Sequence, residues 1–322
     1  MKLTIAFPTY NRSGYLRRAL ESVIGQLADV PAELTVALRV YDNASTDGTP
    51  AVCAELAARE PRLEIVRRPE NIGGDPNILS GLMDADGDFV WVFGDDDYLV
   101  AGALGLLCRL LVSGEFAVLK MGSNEERDIG GRSPATIPER VGAISGSLNV
   151  DRFESADDIL DRFGMGMGNF SSAIFGCAFF RASYVPADPE LFRSGYSQLQ
   201  WIYSGLLSQP RRFGYVNDAL LVLRIELSPR EVNADRVAFG LVLLREALVR
   251  LGYPKPTVET FFQRQSDAIL LGRVKSRKMA GQGVWRGLAR SLADLSNVKV
   301  RLKMLVIAAM PSQVYRRLWV WL

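Results

Sequence analysis

The chain has 322 residues, 48% of them apolar, with 38 basic and 36 acidic side chains, so it can form a sizeable core and wholesale disorder is excluded. It contains no histidine, which excludes Ser-His-Asp and Cys-His catalysis and every histidine metal ligand. Proton transfer or metal binding must rest on Asp and Glu, whose oxygens favour hard cations such as Mg2+ or Mn2+.

Cys53, Cys108 and Cys177 are widely spaced and form no CxxC pair, which argues against a disulfide framework or structural zinc and suits a reducing compartment. The apolar part of MKLTIAFPTYNR is too short for a signal peptide. No apolar run reaches membrane-spanning length.

LTIAF (3–7) predicts a buried strand, and Leu16, Leu20, Val23 and Ile24 then recur at helical spacing over 13–27, with Ser13 as the expected N-cap. LTVALRVYDN (34–43) predicts a second strand, STDGTPAVCAELAAR (45–59) cap residues followed by a helix, and LEIVRRP (63–69) a third strand. NIGGDPNIL is a Gly-rich turn opening a helix to about Met83, and FVWVF (89–93) is a fourth strand. This β-α alternation predicts a mostly parallel sheet with helices on both faces. Ligands of such sheets bind at the carboxyl ends of the strands, where TYNR, DNASTDGT, NIGGD and GDDD all fall.

From 115 to 225 the pattern is less regular, with strand-like FAVLKMG, SSAIFGCAFFR and ALLVLRI. Helical spacing returns from about Asn233, and the last piece, VKVRLKMLVIAAMPSQVYRRLWVWL, mixes basic and apolar residues. Trp201 and Tyr203 suit either stacking on a sugar or core packing.

The stretch WVFGDDDYLV (91–100) ends a buried strand in three adjacent carboxylates, which repel and are costly to bury. In extended chain Asp95 and Asp97 share a face, and two carboxylates can hold one divalent ion together with phosphates. The alternative is a solvated loop in which Asp96 or Asp97 caps the helix near Ala101–Leu111.

In this order and spacing, TIAFPTYNR, VYDNASTDGT, NIGGDPNIL and WVFGDDDYL resemble the donor-binding half of family 2 glycosyltransferases with the GT-A fold. The cluster FGDDDYL is most similar to bacterial enzymes that transfer sugars to O-antigen or other surface polysaccharides, abequosyltransferase-like members included. The resemblance covers residues 2–112 clearly and fades to about 225. It implies an α/β fold of GT-A (Rossmann-like) type and a C-terminal helical extension. The expected domains are 1–228, with 1–112 for the nucleotide-sugar and 113–228 for the acceptor, and a helical region at 229–322 with a basic tail.

The resemblance also implies an inverting, metal-dependent transfer from a nucleotide-sugar to a hydroxyl of a glycan or glycolipid. Pro8, Thr9, Tyr10 and Arg12 would lie against the base, and Asp42 would accept a hydrogen bond from it. Asn71, Gly73 and Asp75 would line the nucleotide and sugar, although Gly73 also suits a tight turn. Aligning Tyr98-Leu99 with the family's ending puts Gly94 and Asp96 at the two aspartate positions. Aligning the acids gives Asp95-x-Asp97. The second register, with Asp95 near the ribose and Asp97 and Asp95 on Mg2+ or Mn2+, is taken here, with Asp96 as the rival.

An inverting transfer needs a carboxylate base. The family's Glu-Asp pair would fall at Ser197-Gln198, and neither is acidic. Glu190 is the candidate, with Asp188, Asp218 and Glu226 as the other nearby acids. The missing pair leaves open a nucleotide-binding or scaffold protein without catalysis. A nucleotidyltransferase or dehydrogenase is disfavoured, because PTYNR follows the first strand where those enzymes place a Gly-rich phosphate loop.

From residue 268 onward there are 11 Lys or Arg and one acid, Asp294, giving that segment a net +10 against −8 for the rest. The expectation is a protein held peripherally on the cytoplasmic face of a bacterial membrane through its tail, or a tail that packs as a helical bundle or oligomer contact. No nucleic-acid module is present.

Overall fold

The computed structural model describes residues 1–128, 143–184, 197–226, 234–263, 274–275, 278 and 298–319. Leu3, Ile5 and Phe7 alternate with Thr4 and Ala6 along β1 (Lys2–Thr9), and all five are buried, as expected of a strand covered on both faces. β1 pairs in parallel with β2 (Thr35–Asp42) and β4 (Phe89–Val92), and β2 pairs in parallel with β3 (Leu63–Arg67). The intervening helices are α1 (Ser13–Ile24), α2 (Thr49–Arg59) and α3 (Gly74–Met83).

Ser13 is the first helical residue of α1 rather than its cap, and its amide is taken by Asp47 Oδ2 at 3.2 Å. The loop before α2 thus supplies the cap that the sequence assigns to α1 itself. Helix α2 starts at Thr49, after the loop of 45–48, where the sequence places cap residues.

The sheet continues through β5 (Tyr98–Leu99), β6 (Val118–Asp128), β7 (Val150–Arg152), β8 (Ala173–Gly176) and β9 (Phe213–Glu226). Its order is β3-β2-β1-β4-β8-β6-β9-β5, with β7 on β9. Strand β8 runs antiparallel to β4 and β6, while β6 and β9 are parallel. Helix α4 (Ala103–Val112) starts after Gly102, so neither Asp96 nor Asp97 is its cap. SSAIFGCAFFR divides into β8 and α6 (Cys177–Ser183), following α5 (Ala156–Phe163).

The remaining described helices are α7 (Ser197–Ser208), α8 (Ala234–Leu251), α9 (255–263), α10 (Val298–Ala309) and α11 (Ser312–Trp319). The chain forms two compact units. The first holds the described residues of 1–156, 167–185 and 208–228, which include the whole sheet. The second is helical and holds those of 157–166, 186–207 and 229–322. Against the expected domains of 1–228 and 229–322, the described residues of 157–166 and 186–207 group with the C-terminal helices. Trp201 and Tyr203 are buried in this second unit, where the Tyr203 hydroxyl donates to Gly164 O at 2.7 Å, so they are core residues.

Candidate functional site

The carboxyl edge of the parallel strands gathers four loops of the first unit. After β1, Asn11 adopts a left-handed conformation with φ 54°, which Asn tolerates better than most residues. Its Oδ1 accepts the Thr46 amide at 2.8 Å and the Asp47 amide at 3.3 Å, and its own amide donates to Ser45 Oγ at 2.9 Å. The TYNR and DNASTDGT loops are thereby tied together. Tyr10 leaves its ring 43% exposed beside this junction.

Asp42 ends β2 and is buried; its Oδ1 accepts the Ser45 amide at 2.9 Å, and Oδ2 lies 3.7 Å from Arg67 Nε. The adjacent Asn43 donates to Asn71 Oδ1 at 2.8 Å and Gly73 O at 3.1 Å, and accepts the Ile72 amide at 2.9 Å. Gly73 has φ 92°, so the turn that brings Asn71 to Asn43 requires glycine. Asn71 is exposed and Asp75 half-buried in the first turn of α3.

The aspartates follow β4. Thr9 Oγ1 donates to Asp95 Oδ2 at 2.7 Å, and Arg12 Nη1 lies 3.7 Å from Asp95 Oδ1. Arg12 pairs with Asp96 Oδ2 at 2.5 Å, and Arg224 Nη1 approaches the same oxygen at 3.4 Å. Asp97 turns inward, its Oδ1 accepting the Arg224 amide at 2.9 Å and its carboxylate accepting the Ser171 hydroxyl. Ser171 Oγ also accepts the Gly94 amide at 2.8 Å. A Cβ on Gly94 would sit 2.7 Å from Asp97 Oδ2, so an aspartate at that position would collide with Asp97.

Burial pushes the Asp95 carboxyl up to about 7, opposed by Arg12 and reinforced by Asp96. Burial, with Asp96 beside it, pushes Asp97 up to about 6. Two more cations complete the cluster. Arg18 pairs with Glu126 Oε2 at 3.1 Å and lies 4.3 Å over the Tyr98 ring, while Arg224 lies 4.0 Å over the Tyr15 ring. Nearby, the buried Lys120 donates to Ser172 Oγ at 2.7 Å, and burial pushes its ammonium down to about 8.

The oxygen donors here suit a hard cation. Asp95 and Asp96 adjoin, and Asp96 is the more exposed, with 23% of its side chain open. Among the described residues no three acidic side chains converge on one point, so such an ion would take two carboxylates and fill its shell from phosphates and water. Asp97, expected as a ligand, also ties the loop to β9 and Ser171, its carboxylate accepting a backbone amide and a hydroxyl.

Pro8, Thr9, Tyr10, Arg12, Asp42, Asn71, Gly73, Asp75, Asp95 and Asp96 all belong to these four loops or to the strand ends beneath them. Glu190 and Asp188 lie outside the described residues, as does the Glu226 side chain. Asp218 accepts the Asn149 amide at 2.9 Å. The sequence reading missed Asn11, Asn43, Arg18, Glu126, Ser171 and Arg224. The two asparagines stood inside the recognised motifs and could have been found there.

A mixed α/β sheet whose parallel half, β3-β2-β1-β4, gathers polar loops and paired carboxylates at its carboxyl edge defines a ligand-binding fold of the nucleotide-binding type. Residues 4–185, more than half of the chain, match the family described as Glycosyl transferase family 2, and the chain belongs to that family. Its fold is of the GT-A type. It is 35% identical over 115 residues to abequosyltransferase RfbV of Salmonella typhimurium, covering 35% of this chain and 33% of that one. It is 33% identical over 110 residues to the GalNAc(5)-diNAcBac-PP-undecaprenol beta-1,3-glucosyltransferase of Campylobacter jejuni, covering 34% of each. The match thus spans about a third of these relatives' length. The fold is similar to that of S. aureus TarS 1-349 in complex with UDP, with TM-score 0.59, 17% identity, and 98% of this chain and 89% of that one covered.

Proposed function

We propose that the protein moves a sugar from a nucleotide-sugar to a hydroxyl of a bacterial polysaccharide precursor, with inversion. The observation that carries this reading is the convergence of Thr9, Arg12, the Asn43–Asn71 bridge and the Asp95–Asp96 pair on one sheet edge of a family 2 chain. The names of the relatives, an abequosyltransferase and a glucosyltransferase acting on a PP-undecaprenol compound, favour a lipid-linked acceptor.

In this reading the nucleobase stacks on the open face of Tyr10, beside Pro8. Asp42 accepts a base N–H with the lone pairs that Ser45 and Arg67 leave. Asn71, Gly73 and Asp75 line the ribose and sugar. Asp95 and Asp96 hold Mg2+ or Mn2+, which when bound would neutralise the diphosphate leaving group. Arg12 lies against both carboxylates and is placed to move onto a phosphate oxygen. Glu190 takes the proton of the acceptor hydroxyl, and Glu190→Gln with normal turnover would remove it from that role.

The test is calorimetric titration of UDP, GDP, CDP and dTDP with and without Mn2+. One nucleotide should bind in a metal-dependent way, at least tenfold more weakly in Asp96→Asn, while Asp97→Asn shows its first effect in thermal stability. Failure of every nucleotide to bind the folded protein would overturn the reading. The absence of acids at Ser197-Gln198 favours a second reading, a nucleotide-binding scaffold, which metal-dependent binding without any sugar transfer or donor hydrolysis would support.

A further inference from the structure

Helix α10 buries Met304, Ile307 and Ala308 in the second unit. A surface helix ordinarily turns a polar face to water. Here the opposite face carries Val298 at 64%, Leu302 at 58% and Val306 at 60% exposure, with Leu305 between them. At about 100° per residue these four side chains form one stripe about 100° wide. Lys299 and Lys303, both exposed, flank it on one side, and Arg301 flanks it on the other. Residues 298–322 carry five Lys or Arg and no acid.

We infer that this stripe is a docking face for an anionic phospholipid bilayer, with α10 lying in the headgroup plane. An apolar stripe edged by long basic side chains is the arrangement that buries aliphatic groups at the acyl boundary while the cations stay at phosphate level. The complete lack of acids in the segment selects an anionic surface over a neutral one. The helix lies on the bilayer and does not cross it: α10 has 12 residues, about 18 Å, against a hydrocarbon core of about 30 Å. Among the described residues no helix is long and apolar enough to span. The inference uses lipid binding alone and does not depend on the sugar-transfer reading.

The experiment is co-sedimentation of the full chain with vesicles of phosphatidylcholine alone and with about a third phosphatidylglycerol, at low and high salt. The partners are Leu302→Gln/Val306→Gln and Lys299→Glu/Lys303→Glu. All four residues are exposed, so melting temperatures should stay close to that of the parent. Binding should require the anionic lipid, weaken with salt and fall at least tenfold in each double variant. Absence of binding to anionic vesicles overturns the inference. Binding that both double variants retain assigns the contact to another face and also overturns it. So does a dimer, seen by light scattering, that Leu302→Gln/Val306→Gln dissociates, because a second copy then occupies the stripe.

Discussion

Thr9→Val isolates one hydrogen bond to a buried charge. The two side chains are nearly the same shape, and Thr9 Oγ1 donates to Asp95 Oδ2 at 2.7 Å inside the protein. A hydrogen bond to a charged group contributes about 1.5–3 kcal/mol, and losing its donor leaves the acceptor desolvated without compensation. At about 2 °C per kcal/mol for a chain of this size, Thr9→Val should melt up to about 3–6 °C lower, the full difference being reached where Asp95 is ionised in both proteins.

The effect should depend on pH. Burial holds the Asp95 carboxyl up at about 7, above its ordinary value, and the Thr9 hydroxyl opposes that rise by favouring the ionised form. Because the folded pKa is raised, the folded state binds more protons than the unfolded chain as pH passes from about 4 to 7, so this group's contribution to stability falls over that window. Removing the Thr9 donor raises the folded pKa further. The difference between Thr9→Val and the parent should therefore be small at pH 5, where Asp95 is protonated in both, and larger at pH 8, where the parent's Asp95 is ionised. Scanning calorimetry across that range reads it directly. A loss that is the same at pH 5 and pH 8, or no loss at all, would refute the reasoning.

Arg224→Gln removes the 3.4 Å contact with Asp96 and the stacking on Tyr15, and should cost about 2 kcal/mol by denaturant titration, since Arg12 remains to neutralise Asp96. Asn11→Gly keeps the φ of 54° but loses two accepted amides, whereas Asn11→Ala adds the left-handed penalty. Urea melts should place the alanine variant about 1 kcal/mol below the glycine variant. Tyr203→Phe deletes the hydroxyl that donates to Gly164 O, and should cost about 1 kcal/mol while leaving nucleotide titrations unchanged. Gly94→Asp should lower melting temperature without strengthening Mn2+-dependent binding, because the new side chain meets Asp97.

The strands and helices of the first hundred residues were legible because their signals are local. Leu3, Ile5 and Phe7 alternate, Leu16, Leu20 and Val23 repeat at helical spacing, and glycine or asparagine marks most of the turns. SSAIFGCAFFR misled because a short apolar run is equally compatible with a buried strand and a buried helix. The cap of α1 misled because Asp47, 34 residues on, reaches the Ser13 amide first. Arg224 was invisible for a different reason. It lies 127 residues from Asp97, and its place follows from the pairing of β9 with β5 at Tyr98↔Val222 and with β6 across an irregularity at Met121–Ser123. No local pattern encodes that register.

Three adjacent aspartates at the end of a buried strand are stable here because each answers a different part of the protein. Asp95 is held by Thr9 from β1, Asp96 by the guanidinium of Arg12, and Asp97 by the backbone of β9 and the Ser171 hydroxyl. Divergence of the three side chains reduces their mutual repulsion, and Arg12, Arg18 and Arg224 answer most of the charge of the aspartates and Glu126. Even so, Asp95 and Asp97 remain pushed up by burial and by Asp96. A nucleoside diphosphate entering alone would add charge of the same sign beside Asp95 and Asp96. In the proposed function the cluster would therefore disfavour the bare diphosphate and favour one accompanied by a divalent cation, and Arg12 would be placed to face the phosphates if the ion took the Asp96 carboxylate. Metal and donor should on this account bind with positive coupling, each tightening the other by the same factor.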